Sequence, residues 1–207
     1  MKLYGTPPTR AVRVNWLLAE LDIDCEIVKV DILAGEHTKP EFLSLNPAGK
    51  VPVLVDGDVV LTESAAIPLY LAEKFPEKGL IPSDLADRAQ MYRWIFFMVT
   101  EIEQPLWRMA LHTAIYPERD RVAGDVPLAA RDCRKMVAVL EHHMKDREFV
   151  AGNRLTVADF IAAYTLDWAN EDDMLGDAPR LRRFVKTMYA RPKAPVTIAE
   201  GFAALTS

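Results

Sequence analysis

One stretch of the chain gathers groups able to hold a small polar ligand. It reads Asn46-Pro-Ala-Gly-Lys50-Val51-Pro52-Val-Leu, and Glu63-Ser64 follows a short distance on. A proline entering a strand removes a ladder donor. If the Val51–Pro52 bond is cis, the chain turns sharply and frees the Val51 N–H and C=O, which can then pair with an extended peptide as an added strand. Glu63-Ser64 falls at a strand-to-helix junction, where N-terminal N–H groups favour a carboxylate, and Glu63 offers a partner for an ammonium. Lys50 and His37 stand in loops from which they can face a second carboxylate. Together these groups describe a site for a short, extended, zwitterionic peptide.

Other groups read as structure. Thr156-Val-Ala-Asp159 is a capping box with Asp in place of Glu, with Leu155 and Phe160 at the staple positions. His142 and His143 are adjacent on a helix and do not share a face, so no metal site is expected. Cys25 and Cys133 form no CxxC or Cys/His cluster, which speaks against structural zinc and a dithiol pair and makes a reducing, cytoplasmic compartment the default.

The elements that must carry these residues change character along the chain. Lys2 to Tyr4 reads as a strand, and Thr6-Pro7-Pro8-Thr9 as a turn in which Thr9 caps the next helix. Val14, Leu17, Leu18 and Leu21 recur at helical spacing. Cys25 to Val30 and Val51 to Val55 read as strands, with a short helix over Pro40 to Leu45 between them. Asp56-Gly57-Asp58 turns into a strand over Val59 to Leu61, and Glu63 to Phe75 is helical. That order is an α/β unit. A Pro/Gly-punctuated link follows, and after Pro82 no strand pattern recurs. A long helix starts at Ser83 or Asp84, and Pro105 should kink or break it. Further helices are predicted over Val126 to Lys145, from Thr156, over Pro179 to Tyr189 and over Val196 to Leu205. The predicted division is an α/β domain over 1–76, a linker over 77–84 and an all-α domain over 85–207.

The 207 residues are 50% hydrophobic and 27% charged, with net charge −5, which describes an ordinary globular chain. The acidic balance argues against nucleic acid as a partner, and no apolar run reaches the length of a membrane span. The opening residues lack a signal-peptide pattern. Four of the five negative charges fall in residues 1–80, so bulk charge would not recruit an anionic peptide and local groups must.

The run from Gly35 through Asn46-Pro-Ala-Gly-Lys-Val-Pro-Val-Leu to Glu63-Ser64-Ala-Ala-Ile67 resembles the glutathione transferase superfamily, nearest its phi and theta-like, bacterial-type members. Thr156-Val-Ala-Asp159-Phe160 is similar to that family's buried capping box. The resemblance implies a thioredoxin-like domain holding glutathione and a helical domain holding an electrophile. It puts Thr6 of Thr6-Pro7-Pro8-Thr9-Arg10 where theta-like enzymes carry a serine that donates a hydrogen bond to the glutathione thiolate, with Thr9 as the fallback. It implies that Val51, presented by Pro52, pairs with the cysteinyl backbone. Glu63 and Ser64 would hold the γ-glutamyl end, and Lys50 and His37 the glycyl carboxylate. Two departures from the phi pattern stand among the carboxylate contacts: Thr38 follows the histidine, and Lys50 takes the place of glutamine. Trp107, Leu111, His112 and Tyr116 are the implied electrophile contacts. The activity implied is conjugation of glutathione to small hydrophobic electrophiles. Glutathione-dependent disulfide or peroxide reduction and a non-catalytic interaction module are the alternatives. Glutathione is the co-substrate, no other cofactor or metal is expected, and the expected assembly is a homodimer. Arg88, Arg93 and the aromatic run from Trp94 are its candidate interface.

Overall fold

In the computed structural model, which describes residues 1–5 and 7–206, strand β1 (Lys2–Tyr4) buries Leu3 completely and leaves Lys2 in solvent. It pairs parallel with β2 (Glu26–Val28) and antiparallel with β3 (Val53–Asp56), so that Leu3 lies between Ile27 and Leu54. A tight turn through Gly57, at φ 60°, returns β3 into β4 (Val59–Thr62). The sheet order is β2-β1-β3-β4. A parallel pair needs a crossover, which α1 (Ala11–Leu21) supplies, and α3 (Ala66–Lys74) packs beside it. Strand periodicity placed these elements well but set their ends too wide: the Cys25 to Val30 strand is three residues, and the Val51 to Val55 strand begins at Val53. The short helix predicted over Pro40 to Leu45 is α2 (Pro40–Leu43).

The helical part opens with α4 (Leu85–Phe97), whose first N–H groups, Ala86 and Asp87, donate to the Asp84 carboxylate at 2.9 and 3.0 Å. Pro105 does not end the helical path. The chain widens into a π turn over Met98–Ile102, resumes as α5 (Glu103–Ala110) with Pro105 in its first turn, and widens again over Leu111–Ile115. A π turn before the proline absorbs the hydrogen bond that its missing N–H cannot make. Next come α6 (Asp125–His143), α7 (Val157–Glu171) and α8 (Pro179–Tyr189). Helix α7 is the core of this part: Phe160, Ile161, Ala162, Ala163 and Leu166 are wholly buried, and α4, α5 and α8 pack around it. The final helix is α9 (Ile198–Thr206).

The chain forms two compact units, Pro82–Arg191 on the one hand and Met1–Ile81 joined by residues from Pro192 onward on the other. The division read from the sequence assigned everything from 85 to 207 to the helical domain. The contacts instead tie the last helix to the first unit, because α9 meets the loop before α1.

Candidate functional site

The residues predicted to hold a peptide lie on three loops of the first unit. Thr6 lies outside the described residues, but its surroundings are informative. Gly5 sits at φ +122°, and a Cβ there would stand 3.0 Å from the Val51 Cβ and 3.1 Å from the Ala11 Cβ. Only glycine lets the end of β1, the start of α1 and Val51 meet so closely. The Pro7–Pro8 and Val51–Pro52 bonds are both cis. The hydroxyl of Thr9 accepts from the Ala11 N–H at 3.3 Å, the capping role read from the sequence.

Val51 stands outside the sheet ladder, which begins at the Tyr4–Val53 pair, and its side chain packs with Phe42, Val53 and Val30. Buried Asn46 shapes the loop before it. Its amide donates to the Lys50 carbonyl at 2.6 Å, its oxygen accepts from the Ala48 N–H at 3.1 Å, and its own carbonyl accepts from Gly49 N–H at 2.9 Å. Gly49, at φ +61°, lies against the His37 backbone: an added Cβ would be 3.2 Å from that carbonyl oxygen. The loops carrying His37 and Lys50 therefore touch. Lys50 is exposed, and the His37 Nδ1 is buried with no hydrogen-bond partner among the described residues. Thr38 turns its hydroxyl inward, donating to the Gly35 carbonyl at 2.7 Å.

On the third loop Glu63 is exposed and holds φ +73°, a left-handed conformation that an L-residue with a long side chain adopts at a cost of about 1–2 kcal/mol. Ser64 beside it is buried. Among the described residues no side chain caps α3; the Ile67 N–H is taken by the Glu63 carbonyl at 3.0 Å and Pro68 has none, so only the N–H groups ahead of them are left for an acceptor. Behind Ser64 stands a residue that pattern reading missed. Arg13, fully buried on α1, donates from Nη1 to the Ser64 Oγ at 2.9 Å. Its only sequence signal is a charge on the otherwise apolar face of α1, at Val12-Arg13-Val14. Asn46 was missed in the same way.

The four residues predicted to meet an electrophile follow one another along α5 and the π turn after it. Trp107 is half-buried and edge-on to Trp168, with ring centroids 6.5 Å apart. Leu111 is half-buried and Tyr116 exposed. His112 is tied into the connection between α5 and α6. Its Nδ1 accepts from the Val122 N–H at 3.2 Å, its Nε2 lies 3.6 Å from the Asp125 carboxylate, and the Tyr116 ring stands edge-on at 5.3 Å. Arg108 grips the same carboxylate through both Nε and Nη2 and holds its pKa below the ordinary carboxylate range.

The remaining titratable groups have structural surroundings. Burial pushes the Cys133 thiol up to about 12, and burial also raises Cys25, so neither is a ready thiolate. Asp159 accepts from the Val150 and Thr156 N–H groups at 2.8 and 2.7 Å and from the Thr156 hydroxyl at 3.0 Å. It is the expected capping box, and its burial raises its pKa to about 6 against the pull of those donors. His143 stacks on Trp94 at 4.0 Å and pairs with the Val150 carbonyl. Among the described residues no group of three His, Cys, Asp or Glu gathers as metal ligands, and no helix is long and apolar enough to cross a membrane.

A sheet of order β2-β1-β3-β4 with a cis-proline loop against its first strand, followed by a helical unit built around a capped buried helix, defines a glutathione transferase fold. The glutathione S-transferase N-terminal domain family matches residues 1–73, and the C-terminal domain family matches residues 104–192. The chain is 33% identical to glutathione S-transferase 3 of Zea mays, over 96% of this chain and 93% of that one. It is 39% identical to glutathione S-transferase 1 of Dianthus caryophyllus over 79% and 74% of the two chains. Among solved structures, a glutathione S-transferase from Xylella fastidiosa superposes with a TM-score of 0.82 at 28% identity, covering 98% of this chain and 97% of that one. The chain belongs to the glutathione S-transferase family, whose co-substrate is glutathione.

Proposed function

We propose that this transferase conjugates the glutathione thiolate to small hydrophobic electrophiles. The observation that carries the reading is the α3 entrance, where strained Glu63, buried Ser64 and a helix start with no side-chain cap among the described residues come together with the Arg13 charge behind them. Glu63 takes the ligand ammonium, while Ser64 and the helix start take the γ-glutamyl carboxylate. Val51 pairs its backbone with the cysteinyl unit, and Lys50 and His37 receive the glycyl carboxylate. Thr6 donates a hydrogen bond from its hydroxyl to the thiolate and lowers the thiol pKa, each unit representing about 1.36 kcal/mol of preference for the anion. Thr9 is the alternative donor. Trp107, Leu111 and Tyr116 line the electrophile side. His112, with its ring nitrogens directed to Val122 and Asp125, shapes that side more than it touches the substrate. The chain works in the cytoplasm as a homodimer, with exposed Arg93 and Phe96 of α4 at the interface.

The test is Thr6→Val, read by ultraviolet titration of bound glutathione. The thiol pKa rises by about one unit while glutathione affinity holds. An unchanged titration assigns the activating hydroxyl elsewhere, with Thr9→Val the next variant. A panel of aryl halides, isothiocyanates, peroxides and disulfides identifies the acceptor. Turnover of disulfides or peroxides alone replaces conjugation with reduction.

A further inference from the structure

The first unit contains a segment that comes from the far end of the chain. After the helical unit, residues from Pro192 onward return to α1 and touch it at both ends. At its C-terminal end, Asp22 holds a left-handed conformation (φ 58°) and binds two lysines, Lys78 at 2.8 Å and Lys193 of the returning segment. At the other end, α9 meets the loop that leads into α1. A Cβ at Gly201 would stand 3.1 Å from the Pro8 Cβ and 3.6 Å from the Pro8 Cα. The two contacts are separated by the length of α1, roughly 16 Å for its eleven residues.

The segment is built to hold this position. Thr197 and Glu200 form a reciprocal cap: the Glu200 carboxylate accepts from the Thr197 N–H at 2.8 Å, and the Glu200 N–H donates to the Thr197 hydroxyl at 3.3 Å. Ile198 and Gly201, one turn apart, are both buried, while Phe202 is exposed. Glycine inside a helix is unfavourable relative to alanine, and Gly201 is not at a left-handed φ that would require it. What glycine provides here is closeness to Pro8. Pro8 lies between the two threonines offered as activating groups, Thr6 and Thr9.

We propose that the C-terminal segment is a strap that sets the height of the loop leading into α1 at Pro8, with Gly201 as a positioning residue for the neighbouring hydroxyl, Thr6 or Thr9, that meets the glutathione sulfur. The inference rests on the reading that this loop activates the sulfur. Hydrogen-bond catalysis depends on placement at the scale of tenths of an ångström, and a side chain at 201 displaces Pro8 by that much. The peptide contacts at Val51, Glu63 and Ser64 stand on other elements, so the strap acts on sulfur activation and not on glutathione capture.

The test is Gly201→Ala in the full chain, with Thr6→Val measured beside it. Alanine raises helix propensity, so the melting temperature stays level or rises. The expected result is a kcat lower by about ten-fold and a bound-thiol pKa higher by about half a unit, with the KM for glutathione within about two-fold. Asp22→Asn keeps a residue tolerant of the left-handed turn and removes the charge that pairs with both lysines, leaving one acceptor oxygen for the two; it gives shifts of the same sign and smaller size. If Gly201→Ala does not fold, Asp22→Asn carries the test by the same criteria. Unchanged kcat and thiol pKa in the strap variants, while Thr6→Val moves them, overturn the strap. A fall in kcat matched by an equal loss of glutathione affinity also overturns it. Absence of any shift in Thr6→Val and Thr9→Val as well overturns the underlying reading of the loop.

Discussion

Helices α3 and α7 both begin beside a hydroxyl and a carboxylate, and the two starts are finished in opposite ways. At α7 the groups answer one another. Asp159 and Thr156 saturate the local N–H donors, and both residues are buried at 0% exposure. At α3 the closure is partial: the Ile67 N–H is taken by the Glu63 carbonyl at 3.0 Å, and Pro68 has no N–H to satisfy. Glu63 points to solvent from a left-handed backbone, no side chain among the described residues caps the helix, and Ser64 is occupied by a guanidinium from another helix. The same residue types make a rivet in one place and, on the proposed reading, a receptor in the other. What separates them is whether the helix's own donors are already satisfied.

Breaking the rivet gives the largest effect. Asp159→Ala orphans the Val150 and Thr156 N–H groups and costs about 3 kcal/mol of stability in denaturant unfolding, with glutathione affinity of the folded fraction unchanged. Its titration sharpens the contrast. Burial raises the folded pKa of Asp159 to about 6, so folding favours its protonated form. Its contribution is complete below the unfolded carboxyl range, near pH 4, and is lost as pH rises through about 6. The stability gap between the parent and Asp159→Asn, measured across pH 4 to about 7, should therefore narrow as pH rises. At the receptor, Ser64→Ala raises the glutathione Kd by about ten-fold, near 1.4 kcal/mol, and destabilises the fold less than Asp159→Ala does. Glu63→Gly has the smallest effect. Relief of the left-handed strain offsets the added chain entropy, so stability stays within about 1 kcal/mol. The glutathione Kd rises about five-fold as the ammonium partner is lost.

The sequence made local devices plain. The Thr156–Asp159 box spans four residues, the α8 bounds Pro179 to Tyr189 follow from a proline start, and the Asp56-Gly57-Asp58 turn is read from composition alone. The Lys50 to Pro52 and Glu63-Ser64 motifs of the proposed peptide site were legible for the same reason, since each is contiguous. The rest depends on partners far away in the chain. Arg13 reaches Ser64 across 51 positions, and hydropathy periodicity treats a charge on an apolar face as noise. Glu141 caps α8 by accepting from the Arg180 and Leu181 N–H groups at 3.1 Å, a contact that no N-terminal motif at Pro179 announces. Pro105 misled in another way. Its chemistry demands a lost hydrogen bond but does not say whether the helix ends or widens, and the packing of α5 against α6 and α7 decides for widening. Gly201 carried no signal, because its meaning lies in Pro8.

The bond from Arg13 to Ser64 also gives the receptor a preference of sign. A hydroxyl has one proton and two lone pairs. With a guanidinium drawing on its oxygen, Ser64 is a poorer acceptor and a strengthened donor, and its proton is free for another partner. Such a group discriminates a carboxylate from a carboxamide of nearly the same shape, since an amide that presents its NH₂ meets a donor backed by positive charge. Under the proposed assignment of the α3 entrance to the γ-glutamyl carboxylate, the site reads charge as well as outline, and a glutathione analogue amidated at that carboxyl is expected to bind more weakly.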